Sequence, residues 1–359
     1  MTLSGAGAMP REAAEAMAEL AGVYVLVDEL RARVDVAVAA ATGAEAALVT
    51  SGAAAGIAVA IAGCMTGPDR AQAARLPDTT GLRNEVVVQA GHMVTYVRQV
   101  SMTGARIVTV GSVHTVSTDE IEAAIGPRTA AIFHVVSHHC QQKGMVPLPE
   151  VVRIGRSRNV PVVVDAAAEI DLRRHVTAGA DLVVCSGGKA IAGPSASGFV
   201  CGRRDLIAAA AAQSEGIGRA MKVGKETLVA LLVALRLYEA RDPGKLWVEW
   251  TAKCQRVVAL LGPLERAEIR IRRDWGYQLD PEGRPLPRVE IYIDQRAAGA
   301  RAREISRRLR AGDPAILLRD YWADAGLLHV DVTCLADDEV ELVAHRLRAE
   351  LSVPRGDRP

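Results

Sequence analysis

The chain has 359 residues, half of them hydrophobic, which is enough for a sizeable core in two lobes and too apolar for a disordered polymer. Lysine and arginine together number 43 against 42 aspartates and glutamates, so no basic field points to a nucleic-acid partner. Aromatic residues make up only 3%, so alanine, valine, leucine and isoleucine must fill the core.

Residues 10–42 read as helical, with Pro10 suited to a first turn and Leu20, Val23, Leu30 and Val34 at helical spacing. The run EAALVTSG (45–52) reads as a strand entering a turn, and AAAGIAVAIAGC (53–64) as the helix that follows. A polar loop is expected over 67–84. Apolar strand-like runs then alternate with helical ones: strands at 85–90, 105–111, 129–137, 160–166 and 180–186, helices at 93–104, 118–126 and 148–159. Continuous Val/Ile runs separated by helices predict a buried, mainly parallel sheet. The run ASGFVCGR (196–203) adds a strand from the far side.

Residues 203–262 read as helical, with 228–250 as one long piece. From about 265 the pattern changes to strands at 287–294, 315–320 and 327–333 alternating with helices at 298–312 and 337–351, a smaller α+β lobe. The expected domains are an N-terminal helical segment (1–45), a large α/β domain (46–262), a small α+β domain (263–353) and a frayed tail (354–359).

Cys64, Cys140, Cys185, Cys201, Cys254 and Cys334 form no C-x-x-C pair and read as reduced thiols of a cytoplasmic protein. Residues 1–17 lack a basic-then-apolar signal pattern. The run 53–65 falls short of the ~20 apolar residues a bilayer span needs, so no membrane partner is expected.

The chemistry concentrates in two places. Asp165 ends the apolar run VPVVVD (160–165), and Lys189 follows the next one in ADLVVCSGGK (180–189). That order suits pyridoxal 5'-phosphate. The lysine can hold the aldehyde as a Schiff base, and the aspartate can keep the pyridine nitrogen protonated. Alone, a lysine after two glycines is more often a solvated loop residue, and an aspartate there is more often a helix cap. Their combination at successive strand ends, where open α/β sheets bind ligands, favours chemistry. Ala167 is small enough to lie flat beneath a ring. Ser186 offers a hydroxyl to a phosphate, or simply makes a turn. Ser51, Gly52 and Ala53 join a strand to a helix start, where backbone N–H groups and the helix dipole favour a phosphate.

His92 follows another strand end and could stack on a cofactor ring; a lone histidine there is more often a cap or surface residue. Ser137, His138 and Gln142 follow the strand at 129–137 and would face substrate. Adjacent His138 and His139 point opposite ways along an extended chain, so no metal is expected. Arg319 is a candidate carboxylate clamp and equally an ordinary surface arginine. The loop GIGRAMKVGKE (216–226) could carry Arg219, Lys222 and Lys225 toward an anion, or be a solvated charged loop.

Four stretches carry a resemblance: GAEAALVTSGAAAGI (43–57), HHCQQKGMVPL (138–148), residues 160–198 and GIGRAMKVGKE. The chain resembles the fold-type-I pyridoxal phosphate enzymes, and within them the selenocysteine synthase-like family that includes D-glucosaminate-6-phosphate ammonia-lyase. The resemblance implies Lys189 as the aldimine lysine and Asp165 as the pyridine partner. It implies Ser51, Gly52, Ala53 and Ser186 at the cofactor phosphate, His92 on the ring and Arg319 at the substrate carboxylate. It further implies a homo-oligomer, with 216–226 serving a neighbouring subunit. The short N-terminus and near-zero net charge argue against a seryl-tRNA substrate.

The expected activity is α,β-elimination from a β-hydroxy or β-substituted amino acid, releasing ammonia. An aminotransferase, a racemase or a β-replacement enzyme would need the same lysine and aspartate. An aminoacyl-tRNA-modifying transferase and a non-catalytic binding protein are the more distant alternatives.

Overall fold

The computed structural model describes residues 7–137, 140, 142–272, 279–296 and 301–352. The chain divides into two compact units, Met1–Arg241 and Asp242–Pro359.

The first unit is built on a seven-stranded sheet. Its strands are β1 (Ala46–Thr50), β2 (Glu85–Gln89), β3 (Arg106–Val110), β4 (Thr129–Val135), β5 (Val162–Asp165), β6 (Leu182–Ser186) and β7 (Gly198–Gly202), in the order β1-β7-β6-β5-β4-β2-β3. β3, β2, β4, β5 and β6 run parallel, and β7 runs antiparallel to both β6 and β1. Every residue of β2, β4, β5 and β7 is buried, which is why these strands read as unbroken apolar runs rather than alternating ones. The edge strand β1 is covered by the helix Val27–Thr42: Asp35 Oδ1 accepts from the Val49 N–H (2.8 Å) and Arg31 Nη1 donates to the Val49 carbonyl (3.1 Å).

Helix ends follow local chemistry. Ser117 and Glu120 form a capping box at the start of Thr118–Ala124, and Asn159 in the left-handed conformation stops Leu148–Arg158. Several expectations need correction. The segment 10–42 is two helices, Arg11–Ala21 and Val27–Thr42. The loop at 67–84 contains a short helix, Arg70–Arg75, capped by the Asp69 side chain. The segment 93–104 holds a 3-10 turn, Thr95–Val97, and one α-turn, Arg98–Ser101, rather than a full helix. The piece at 228–250 is two helices, Lys225–Glu239 and Pro243–Leu261; Asp242 caps the second, and Pro243 suits its first turn because it has no N–H to leave unpaired.

The second unit holds an antiparallel three-stranded sheet, β8 (Ala267–Arg272), β9 (Arg288–Ile293) and β10 (Leu327–Val330), in the order β10-β9-β8. β8 escaped the sequence reading because charged residues alternate along it. The expected strand at 315–320 is only a bridge between Arg319 and His329. Cys254, Val257 and Leu261 of helix Pro243–Leu261 pack into this unit's core with Ile291, Leu309 and Leu347, so the division falls before that helix rather than at 262. Among the described residues no helix is long and apolar enough to cross a membrane.

Candidate active site

The carboxyl ends of the parallel strands meet along one edge of the seven-stranded sheet. Asp165, the last residue of β5, pairs with Val135 of β4 and Val184 of β6 and is 5% exposed. Its Oδ1 accepts from the Ala167 N–H (3.0 Å), a local turn in which the small Ala167 follows the acid. Burial pushes the Asp165 carboxyl above its ordinary value, and the Ala167 N–H and the positive charge of Lys189 pull it back. The two residues singled out by the sequence therefore act on one another across the end of the sheet.

Lys189 is half-buried in the turn after β6. Its carbonyl accepts from the Ala192 N–H (3.0 Å), and the preceding Gly187 N–H donates to the Ser197 carbonyl (2.9 Å), so both ends of the turn are tied down. Ser186 pairs with Gly198 of β7, and Gly198 pairs in turn with Thr50 of β1. This register brings Ser186 beside the turn Ser51-Gly52-Ala53. Gly198 has no room for a side chain: a Cβ there would lie 2.6 Å from the Gly52 carbonyl carbon and 2.7 Å from the Ala53 nitrogen. Gly52 itself has φ +124°, a conformation side chains rarely permit. It precedes the 14-residue helix Ala53–Thr66 without any side-chain cap, leaving that N-terminus presented to an anion.

His92 closes the 3-10 turn after β2 and is fully buried. Its Nδ1 accepts from the Val135 N–H (3.3 Å), and its Nε2 is buried with no hydrogen-bond partner among the described residues. Its ring meets His134 edge to face at 4.5 Å between centroids. Burial lowers its pKa to about 4, with Gln142 partly offsetting, so the imidazole is neutral at pH 7. Gln142 donates from Nε2 to the Val135 carbonyl (2.9 Å), and the Ser137 carbonyl accepts from the Cys140 N–H (3.1 Å). His138 lies outside the described residues.

Arg219 and Lys222 are exposed on and just after the 3-10 turn Ile217–Met221. Lys225 Nζ donates to the Ala21 carbonyl (3.2 Å) and to that of Val23, closing the end of the first helix. Arg319 belongs to the second unit, where its Nη2 lies 2.5 Å from Asp331 Oδ2.

Sequence reasoning missed a buried polar layer behind the site. Gln89, the last residue of β2, bonds both ways with the Val146 backbone (2.7 and 3.0 Å) and approaches His134 Nδ1 (3.4 Å). Glu169, 3% exposed, pairs with His175 Nε2 (3.2 Å) and Arg174 Nη1 (3.3 Å). An acid four residues after Asp165 in the apolar stretch DAAAEI was the available signal. Among the described residues no group of three or more His, Cys, Asp or Glu side chains could hold a metal.

The parallel sheet with one antiparallel strand, an acid ending β5 and a lysine in the turn after β6 together define the fold class of the fold-type-I pyridoxal phosphate enzymes. Comparison with known proteins narrows this. Residues 28–251 match the family model SelA, L-seryl-tRNA selenium transferase, and the chain belongs to that enzyme family. It is 38% identical over 352 residues to a D-glucosaminate-6-phosphate ammonia lyase of Salmonella typhimurium, covering 97% of this chain and 92% of the relative. It is 40% identical over 351 residues to a 5'-C-glycyluridine monooxygenase-decarboxylase of a Streptomyces species, covering 96% and 86%. A solved D-glucosaminate-6-phosphate ammonia-lyase structure superposes with TM-score 0.83 at 37% identity, over 98% of this chain and 93% of that one.

Proposed function

We propose that the chain is a pyridoxal phosphate-dependent lyase that removes ammonia by α,β-elimination from a β-hydroxy or β-substituted amino acid, with amino-sugar acids the favoured substrate class. The observation that carries the reading is the placement of Asp165 and Lys189 at adjacent strand ends, beside an uncapped helix N-terminus. The lyase relative's name supports the substrate class.

The residues present fit the cofactor. Lys189 would hold its aldehyde end and Asp165 its ring nitrogen. The N–H groups after Gly52 and the Ser186 hydroxyl would hold its phosphate, which explains the side-chain-free approach of Gly198 to that turn. His92 would cover the ring, its buried Nε2 turned to a new partner. When bound, pyridoxal phosphate supplies an electron sink conjugated to the substrate Cα. Lys189 Nζ would be placed to take the Cα proton and to give a proton to the departing β-group. Ser137 and Gln142 would bind the substrate's polar chain, Arg319 its carboxylate, and Arg219 and Lys222 a further anionic group. Hydrolysis of the released enamine gives ammonia and a 2-oxo acid. The protein is read as cytoplasmic, which six free thiols support, and as a homo-oligomer.

A second reading has its own support in the monooxygenase-decarboxylase relative. It keeps the cofactor and removes the α-carboxyl group at the expense of dioxygen. One assay separates the two: amino acids and amino-sugar acids, with and without phosphate, are screened for ammonia, CO2 and dioxygen uptake. Ammonia release independent of dioxygen supports the lyase. Turnover that stops under nitrogen and yields CO2 overturns it. Wild-type protein that takes up no pyridoxal phosphate, or Lys189→Ala that keeps the visible absorbance of wild type, sinks both.

A further inference from the structure

One helix end grips both halves of the candidate site. Tyr238 lies in the last turn of helix Lys225–Glu239, and Arg241 follows it as the last residue of the first unit. The Tyr238 hydroxyl donates to the Ile170 carbonyl at 2.5 Å. The Arg241 Nη1 donates to the Ala190 carbonyl at 2.8 Å. The guanidinium also lies 5.7 Å from the Tyr238 ring centroid, so the two side chains brace each other.

Ile170 ends the segment that begins at Asp165. In between, the Ala166 N–H donates to the Val184 carbonyl (2.9 Å) and the Glu169 N–H to the Ala166 carbonyl (3.0 Å). That segment is therefore anchored to β6 at its start and to Tyr238 at its end. Ala190 is the residue after Lys189, in a turn that holds Ala192 at φ +58°. A non-glycine residue in the left-handed region is strained and persists only where its surroundings enforce it. The Ala192 N–H bond to the Lys189 carbonyl and the Arg241 bond to the Ala190 carbonyl are that enforcement. Buried Ile191 fixes the same turn from its apolar side.

We propose that Arg241 and Tyr238 are positioning residues that set the reach of the Lys189 amine relative to the Asp165 carboxylate. The inference rests on the cofactor reading of those two residues. Arg241 carries the larger share, because it holds the turn of the lysine itself and its bond is charge-assisted. Arg241→Met keeps the aliphatic stem and removes the bond; Arg241→Lys keeps a single donor; Tyr238→Phe removes only the hydroxyl.

The experiment compares wild type and the three variants, each loaded with pyridoxal phosphate. Three readouts are taken: the pH midpoint of the visible absorbance change, the cofactor dissociation constant by equilibrium dialysis, and the melting temperature without cofactor. Expected for Arg241→Met are a shifted pH midpoint and roughly tenfold weaker cofactor binding. Arg241→Lys recovers most of both, and Tyr238→Phe shifts them in the same direction by less. Melting temperatures of the cofactor-free variants stay near wild type, which separates positioning from loss of fold. If wild type binds cofactor and both Arg241→Met and Tyr238→Phe match its midpoint and affinity, the tether is wrong while the site stands. If Arg241→Met fails to fold, Tyr238→Phe and Arg241→Lys decide by the same readouts. Wild type that takes up no cofactor overturns the site, and the tether with it.

Discussion

The positive charge of Lys189 reaches the carboxyl of Asp165, which burial at the end of β5 holds above its ordinary range. Ionising Asp165 is costly, because the charge is removed from water and the Ala167 N–H and the charge of Lys189 offset only part of that cost; a cation in direct contact would offset more. A pyridinium N–H would supply that contact. On the proposed function, the acid of the cofactor-free protein is kept at the expense of stability.

Asp165→Asn tests this trade directly. A folded-state pKa raised above 3.8 means that the unfolded chain loses its proton first as pH rises. Wild type therefore gives up stability as pH climbs through that interval, and the amide does not. Thermal melts of cofactor-free protein should show the Asp165→Asn variant more stable than wild type at pH 8, with the advantage gone below about pH 4. Turnover should fall on the order of a hundredfold or more, since the charge that polarises the ring is lost. A variant that is no more stable at pH 8 and retains full activity would show that residue 165 faces no ring nitrogen.

The parts of this arrangement legible in the sequence are those in which one residue type announces a backbone position. Asp165 and Lys189 stood out because a charge closes an otherwise apolar run, and Gly52 because a helix follows it. The parallel sheet was legible because β2, β4 and β5 are buried on both faces and can carry only apolar side chains along their middles. β8 was not legible, because its alternate residues are charged and pair across the sheet, Arg270 and Arg272 with Glu290 of β9. Glu169 and Gln89 were missed because what makes them polar members of the interior is a partner distant in sequence, His175 and Arg174 for one and the Val146 backbone for the other. Arg241 gave no signal at all. Its target is a backbone carbonyl, and a carbonyl has no letter in the sequence.

Gly198→Ala tests the proposed phosphate turn. The added methyl would sit 2.6 Å from the Gly52 carbonyl carbon, 2.7 Å from the Ala53 nitrogen and 2.7 Å from the Cys185 carbonyl oxygen. All three are backbone atoms, so no side chain can rotate away. The expected cost is about 1–3 kcal/mol of stability. The informative result is selective: pyridoxal phosphate affinity should fall further than affinity for pyridoxal, which has no phosphate to lose contact with. Equal losses for the two ligands would place the phosphate elsewhere.

His92 and Asp35 give the cofactor-free protein two opposed pH responses over one interval. Burial lowers His92 to about 4 from 6.5, so its contribution to stability is present above pH 6.5 and is lost as pH falls toward 4. Burial raises Asp35 to about 6 from 3.8, against the Val49 N–H and Arg31, so its contribution grows as pH falls from 6 toward 4. Each shift corresponds to about 3 kcal/mol. In wild type the two largely cancel, and single variants separate them. Asp35→Asn keeps an oxygen for the Val49 N–H and removes the charge. It should be more stable than wild type at pH 7 and should lose stability more steeply on acidification. His92→Phe should instead gain stability as pH falls from 6 toward 4, because Asp35 then titrates unopposed. Urea midpoints at pH 7, 5.5 and 4.5 for the three proteins provide the check. Three parallel curves would mean that neither group titrates as its burial dictates.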